Sequence, residues 1–198
     1  MKKALLYIHG KGGTIQEANH YQTLLEDYVV IGLDYKKTTP WETKEEFLNT
    51  YHHLSKNYTI SLLANSIGAY FAMNALAQVQ IEKAFFISPI VDMEKLITDM
   101  LTYNKITEEQ LQKEQIIPLP SGEILSWEYL SYVRSHPIKW DIPTDILYGE
   151  KDNLTSLQTM KNFAKSHNAT LTVMKNGKHW FHTTEQMKFL NYWLIQHL

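Results

Sequence analysis

Ala64-Asn65-Ser66-Ile67-Gly68 follows the apolar run Tyr58-Thr59-Ile60-Ser61-Leu62-Leu63 and leads into Ala69-Tyr70-Phe71-Ala72-Met73-Asn74-Ala75. The order reads as strand, tight turn and helix, with a serine at the turn. Small residues two before and two after that serine let the strand and helix backbones approach closely. The turn can then hold Ser66 strained and projecting at the sheet edge. This is the G-x-S-x-G nucleophile-elbow spacing, with Ala64 in place of the first glycine. Short small-residue patterns recur by chance, so the remaining chain has to supply a base, an acid and an oxyanion site.

Outward from the elbow, the chain alternates strand and helix. Ala4–Ile8 is an apolar run that ends in glycines, as a strand buried on both faces of a parallel sheet does. Ile15–Glu26 has helical character, with Tyr21, Leu24 and Leu25 as its apolar side, and Tyr28–Leu33 reads as a second buried strand. Thr38-Thr39-Pro40 then leads into a helix carrying Phe47, Leu48, Tyr51 and Leu54, with Thr39 as a possible cap. The elbow helix is expected over Ile67–Val79, and Lys83–Ser88 is a fourth strand closed by Pro89. Such alternation implies a parallel sheet covered by helices, because each crossover returns over a face before the next strand pairs. Between Val91 and Pro143 no strand-like run occurs. This stretch reads as an insertion of helices around Met93–Leu101, Thr107–Gln115 and Ile124–Val133, too short for a core of its own. Its aromatics Trp127, Tyr129, Tyr132 and Trp140 suit either a lid over a site or the lid's own packing. Strand five (Thr144–Tyr148), a helix (Leu154–Ser166), strand six (Thr170–Met174) and a closing helix (Thr183–His197) resume the pattern.

Composition bounds the function. At 198 residues the chain suits one domain, with 44% apolar and 20% charged residues as in ordinary globular proteins. A formal net charge of −2 gives no basic patch for nucleic acid or an acidic membrane surface. The absence of cysteine excludes disulfides, thiolate metal sites and a thiol nucleophile, and fits a reducing, cytoplasmic setting. Lys2-Lys3 followed by Ala4–Ile8 resembles the start of a signal peptide, but His9-Gly10-Lys11 ends the apolar run too early, and no stretch approaches a membrane span.

In an open parallel sheet, ligands bind at the carboxyl ends of the strands. Four such ends carry suggestive residues: His9-Gly10-Lys11-Gly12-Gly13-Thr14, Ser66, Gly149-Glu150-Lys151-Asp152, and Asn176-Gly177-Lys178-His179-Trp180. A serine hydroxyl needs an imidazole to take its proton and a carboxylate to orient that imidazole. The order Ser66, Asp152, His179 occurs in one fold family and not in the other well-known triad folds. The Ile67 N–H, and one from the glycine-rich turn, Lys11 first and Gly12 next, are the expected oxyanion donors. Glu150 and Asp145 compete with Asp152 for the acid, and His182 competes with His179 for the base. His179, His182 and Asp152 lack a recognisable metal-ligand spacing, and Gly10–Thr14 fails the phosphate-loop spacing.

On His9–Gly13, Ala64–Gly68, Gly149–Asp152 and Gly177–Trp180, the chain resembles a small member of the α/β-hydrolase superfamily over nearly its whole length. The resemblance implies a three-layer α/β fold of about six mostly parallel strands in the order 2-1-3-4-5-6, with helices on both faces. It implies a single domain over residues 1–198 with a helical cap insertion at about 91–143, and lacks the two opening antiparallel strands of the full fold. By that likeness Ser66 is the nucleophile, His179 the base and Asp152 the acid, Lys11 and Ile67 supply oxyanion N–H groups, and Gly12 and Trp180 meet substrate. The implied activity is a serine carboxylesterase-like hydrolase acting on a small-molecule ester without metal or cofactor. Alternatives are an amidase, peptidase or thioesterase, cofactor-free haloperoxidase or lyase chemistry, or a binding or regulatory protein that has lost turnover. Neither the acyl and alcohol groups nor the oligomeric state is legible in the sequence.

Overall fold

A computed structural model describes residues 1–198. Six strands form one sheet: β1 (Lys2–Ile8), β2 (Val29–Gly32), β3 (Tyr58–Asn65), β4 (Ala84–Ile87), β7 (Thr144–Gly149) and β8 (Thr170–Met174). Strands β5 and β6 lie in the insertion described below. The sheet order is β2-β1-β3-β4-β7-β8 and every pairing is parallel. Counted without the insertion, this is the expected order. β3 is central by register, pairing Leu6 to Leu62 on one side and Leu62 to Ala84 on the other.

Side chains alternate across a strand, and here both faces are apolar. Leu5 and Tyr7 of β1, Leu63 of β3, Phe85 and Ile87 of β4 and Leu147 of β7 form one face. They pack with Tyr21 of α1 (Ala18–Leu24) and with Leu190, Trp193 and Leu194 of α8 (Thr184–His197). The opposite face, carrying Ile8, meets α3 (Ile67–Leu76), whose Gly68 lies against Ile8 Cγ2. Tyr35 joins this side by edge contacts to Phe71 of α3 and to Phe47 of α2 (Pro40–Leu54). Helix α7 (Leu157–Ser166) connects β7 to β8 and buries Met160 and Phe163. The result is three layers: helices, sheet, helices.

Several elements differ from expectation. β2 is an edge strand, with Val29 exposed and Val30 to Gly32 only partly covered, so it is not buried. Its uniformly apolar sequence carries no mark of its place in the sheet. Ile15–Glu17 forms a 3-10 turn ahead of a shorter α1, and α3 ends at Leu76. Thr39 precedes α2, but its hydroxyl donates to the Glu42 carboxylate at 2.6 Å instead of capping a backbone N–H.

Residues 92–138 form a compact unit of their own, apart from residues 1–91 with 139–198. It contains α4 (Met93–Tyr103), α5 (Glu108–Glu114) and α6 (Trp127–Ser135), but it is not purely helical. Ile116–Pro118 (β5) pairs antiparallel with Ile124–Ser126 (β6) around a turn in which Gly122 has φ +86°. Strands of three residues are too short for a two-residue period to register, so Ile124–Ser126 reads as the start of a helix that in fact begins at Trp127. Arg134 of α6 ties this unit together, with bonds of 2.7 Å to Glu94 of α4 and 2.8 Å to Glu108 of α5. Trp140, read as a lid candidate, belongs instead to the main unit. It is fully buried against Phe86 of β4, and its indole N–H donates to Thr144 Oγ1 at 2.8 Å. No helix is long and apolar enough to cross a membrane.

Of the glycines, Gly68 leaves the least space for a Cβ. A Cβ there would overlap the His9 carbonyl oxygen and lie 2.9 Å from Ile8 Cγ2. Because the obstacle is backbone, Gly68→Ala should lower stability by about 1–3 kcal/mol or more. Urea unfolding should read this as a lower midpoint at unchanged slope.

Candidate active site

Ser66 is the single residue between the end of β3 and the start of α3, with φ +50° and ψ −121°. A non-glycine residue in that region carries strain, tolerated only where its surroundings fix it. Here they do. Ser66 N–H donates to the Ile87 carbonyl at 3.0 Å, and the Ser66 carbonyl accepts from Ala69 and Ile90 N–H at 3.2 and 3.1 Å. Side-chain-free approaches complete the seating. Gly68 lets α3 reach β1, and a Cβ at Gly10 would lie only 3.3 Å from Ser66 Cβ. Ile67 is the first residue of α3, so its N–H has no intrahelical acceptor and points out beside Ser66 with the positive end of the helix dipole.

Ser66 Oγ lies 2.8 Å from His179 Nε2, and His179 Nδ1 lies 2.6 Å from Asp152 Oδ2. A carboxylate only accepts, so Nδ1 carries the proton and Nε2 presents its lone pair to the serine hydroxyl. The Asp152 side chain is fully buried and His179 is 15% exposed. Burial of that carboxylate is tolerable because its other oxygen accepts from Leu154 and Thr155 N–H at 2.8 and 3.1 Å. Asp152 therefore turns the chain toward α7 as well as holding the imidazole.

Two glycines bring the loops that carry Asp152 and His179 together. A Cβ at Gly149 would lie 2.5 and 2.6 Å from the Lys178 and Gly177 carbonyl oxygens. Lys151 N–H donates to the Gly177 carbonyl at 2.7 Å, and Asn176 N–H donates to Glu150 at 2.9 Å.

The competing candidates lie elsewhere. Glu150 is spent on Asn176, while Asp145 is buried within β7 and paired to Lys83 at 2.7 Å. His182 is exposed, its Nδ1 facing the Trp180 carbonyl at 2.8 Å. Trp180 is 70% exposed and stacks on His182 at 4.1 Å. In the turn after β1, Lys11 is exposed and Gly12 adopts φ +74° with open space around it. Gly13 N–H donates to the Gly10 carbonyl at 3.1 Å, closing the turn. No group of three or more His, Asp or Glu side chains is arranged to hold a metal ion.

Sequence reasoning did not single out Tyr35. Its ring stacks on the His9 imidazole at 4.3 Å and its hydroxyl donates to the His9 carbonyl at 2.6 Å, fixing the start of the turn. Nothing local marks it, because its partner is 26 residues away.

No protein-family model matches the sequence, and no curated protein matches it. Solved structures do match. Est1E of Butyrivibrio proteoclasticus with ferulic acid bound superposes with a TM-score of 0.76 at 17% identity, over 98% of this chain and 88% of its own. The mouse alpha/beta hydrolase domain-containing protein 10 gives 0.76 at 16%, over 99% and 89%. A lipase-esterase related protein of Clostridium acetobutylicum gives 0.68 at 19%, over 100% and 95%. The chain has the α/β-hydrolase fold.

The strain at Ser66 is measurable. Ser66→Gly and Ser66→Ala both remove the hydroxyl, but only glycine relaxes a positive φ. Ser66→Gly should be the more stable of the two by on the order of 1 kcal/mol, read from urea midpoints.

Proposed function

We propose that the protein is a serine hydrolase of the carboxylesterase type, acting on small esters through an acyl-enzyme. The observation that carries this reading is the unbroken line from Ser66 Oγ to His179 Nε2 and from His179 Nδ1 to a buried Asp152 carboxylate, at 2.8 and 2.6 Å. Ser66 Oγ attacks the ester carbonyl carbon while its proton passes to His179 Nε2. The new positive charge on the imidazole is stabilised by Asp152, which keeps its own negative charge. The carbonyl oxygen becomes an oxyanion, held by the N–H groups of Ile67 and Lys11. Collapse breaks the bond to the alcohol, which leaves with the proton from Nε2. Water, losing a proton to the same nitrogen, then attacks the acyl carbon; the bond to Ser66 Oγ breaks as Nε2 returns the proton to it, and the carboxylic acid is released. Residues 1–198 act as one domain interrupted by the insertion, and Gly12 and Trp180, each next to a proposed functional residue, are the proposed substrate contacts. Esters are the first substrates to test, because several proteins sharing the fold are named as esterases or carboxylesterases.

A fluorophosphonate probe should label the wild type at one site, and Ser66→Ala should not be labelled. Retained labelling of that variant would remove Ser66 from the role. Asp152→Asn leaves the shape intact but favours the wrong imidazole tautomer, so kcat on p-nitrophenyl acetate should fall by on the order of 10³–10⁴.

A further inference from the structure

Tyr7 is fully buried in β1, where phenylalanine would fill the same space without a hydroxyl to satisfy. Its Oη donates to the Glu17 carboxylate and accepts from Asn65 Nδ2 at 2.8 Å. Asn65 is the residue before Ser66. The other Glu17 oxygen accepts from Thr14 N–H at 3.0 Å, at the end of the glycine-rich turn. That oxygen also lies over Gly13, where a Cβ would be 2.7 Å from it and 2.9 Å from His9 Cβ. One hydrogen-bonded line thus runs from the elbow, through the hydroxyl of a core tyrosine, to the backbone of the turn after β1. Burial, the neighbouring Tyr21 and the bond to Glu17 push the Tyr7 phenol well above its ordinary range, so it stays protonated and keeps donating. Thr14 and Glu17 stand at T-x-x-E spacing, a helix-start signature that is visible in the sequence.

We propose that Asn65, Tyr7 and Glu17 are positioning residues that tie the Gly10–Thr14 turn to the elbow and so hold the Lys11 N–H in register with Ser66 Oγ. This rests on the hydrolase reading above. Preorganised donors act only when they already sit where the oxyanion forms, and two segments with no covalent link near the site need a fixed reference between them. Tyr7 supplies it, because β1 pairs directly with β3, which carries Asn65. These three residues do not touch substrate. Their effect is on the transition state, not on substrate capture.

Tyr7→Phe keeps the ring and removes both bonds. On p-nitrophenyl acetate its kcat should fall roughly ten- to hundredfold, less than the loss of a whole oxyanion donor, with KM within about twofold. Inhibition by an aryl trifluoromethyl ketone, whose serine adduct places an oxyanion in the same position, should weaken in parallel with kcat/KM. Amide exchange over Lys11–Thr14 should speed up. Glu17→Ala should behave alike, while Glu17→Gln, which retains an acceptor for Thr14 N–H, should recover part of the loss. Tyr51→Phe is the structural control, since it deletes a hydroxyl bond to the Gln80 carbonyl of 2.9 Å in a different part of the fold. An active enzyme in which Tyr7→Phe leaves kcat or turn exchange unchanged overturns the tie. So does a loss confined to KM, or an equal loss in Tyr51→Phe. A wild type that neither hydrolyses the ester nor takes the fluorophosphonate overturns the hydrolase reading instead, while faster turn exchange in Tyr7→Phe would still support the tie itself.

Discussion

Helix α3 meets the end of β1 with no space for a side chain at Gly68, and much of the molecule follows from that backbone contact. Seating the helix so close forces the chain to reverse within one residue after β3, which puts Ser66 at positive φ. The same contact sets the His9 carbonyl beside the first turn of α3, so the glycine-rich segment leaving β1 starts next to the serine. A looser approach would relieve the strain and move both segments away from Ser66. The strained serine and the nearby turn are therefore two results of one packing constraint.

A second close approach, Gly149 against Gly177, does the same for the loops that carry Asp152 and His179. Neither glycine needs an unusual φ; each is there because a side chain would push two loops apart. Between the two approaches lies a chain of polar groups, each with a partner, from Leu154 and Thr155 N–H through Asp152 and His179 to Ser66. A buried carboxylate without those donors would cost several kcal/mol. The burial of Asp152 and the orientation of His179 draw here on the same carboxylate.

The alternation of strand and helix was legible because most of the six sheet strands are largely apolar runs followed within a few residues by Gly, Pro or Asp, with a crossover of helical length between. What the runs did not carry was place in the sheet, so Val29–Gly32 looked as buried as β1 although it lies at an edge. The β5–β6 hairpin escaped because three residues are too few for a period. At the site, Ser66 stands out by the small residues around it, and His179 by following Gly177 directly after the last strand. Asp145, Glu150 and Asp152 lie within eight residues of one another; the register of β7 sets Asp145 apart, and the bond from Asn176 N–H engages Glu150. Asp145 is paired inside the sheet with Phe85 and Thr170, whereas Asp152 falls past its end. Tyr7 and Asn65 looked like ordinary strand residues, since the bond between them spans 58 positions.

The parallel partners β4 and β7 are neighbours in the sheet, yet residues 88–143 separate them in the chain. Closing such a loop costs entropy that grows only as the logarithm of its length. Compared with a minimal crossover of about twelve residues, the extra cost is about 1.4 kcal/mol. Lineages descended from a common ancestor could thus lengthen, shorten or replace this segment with little penalty to the sheet. The sheet edge that presents Ser66, Asp152 and His179 is fixed by strand register, which the length of the segment joining β4 to β7 does not set.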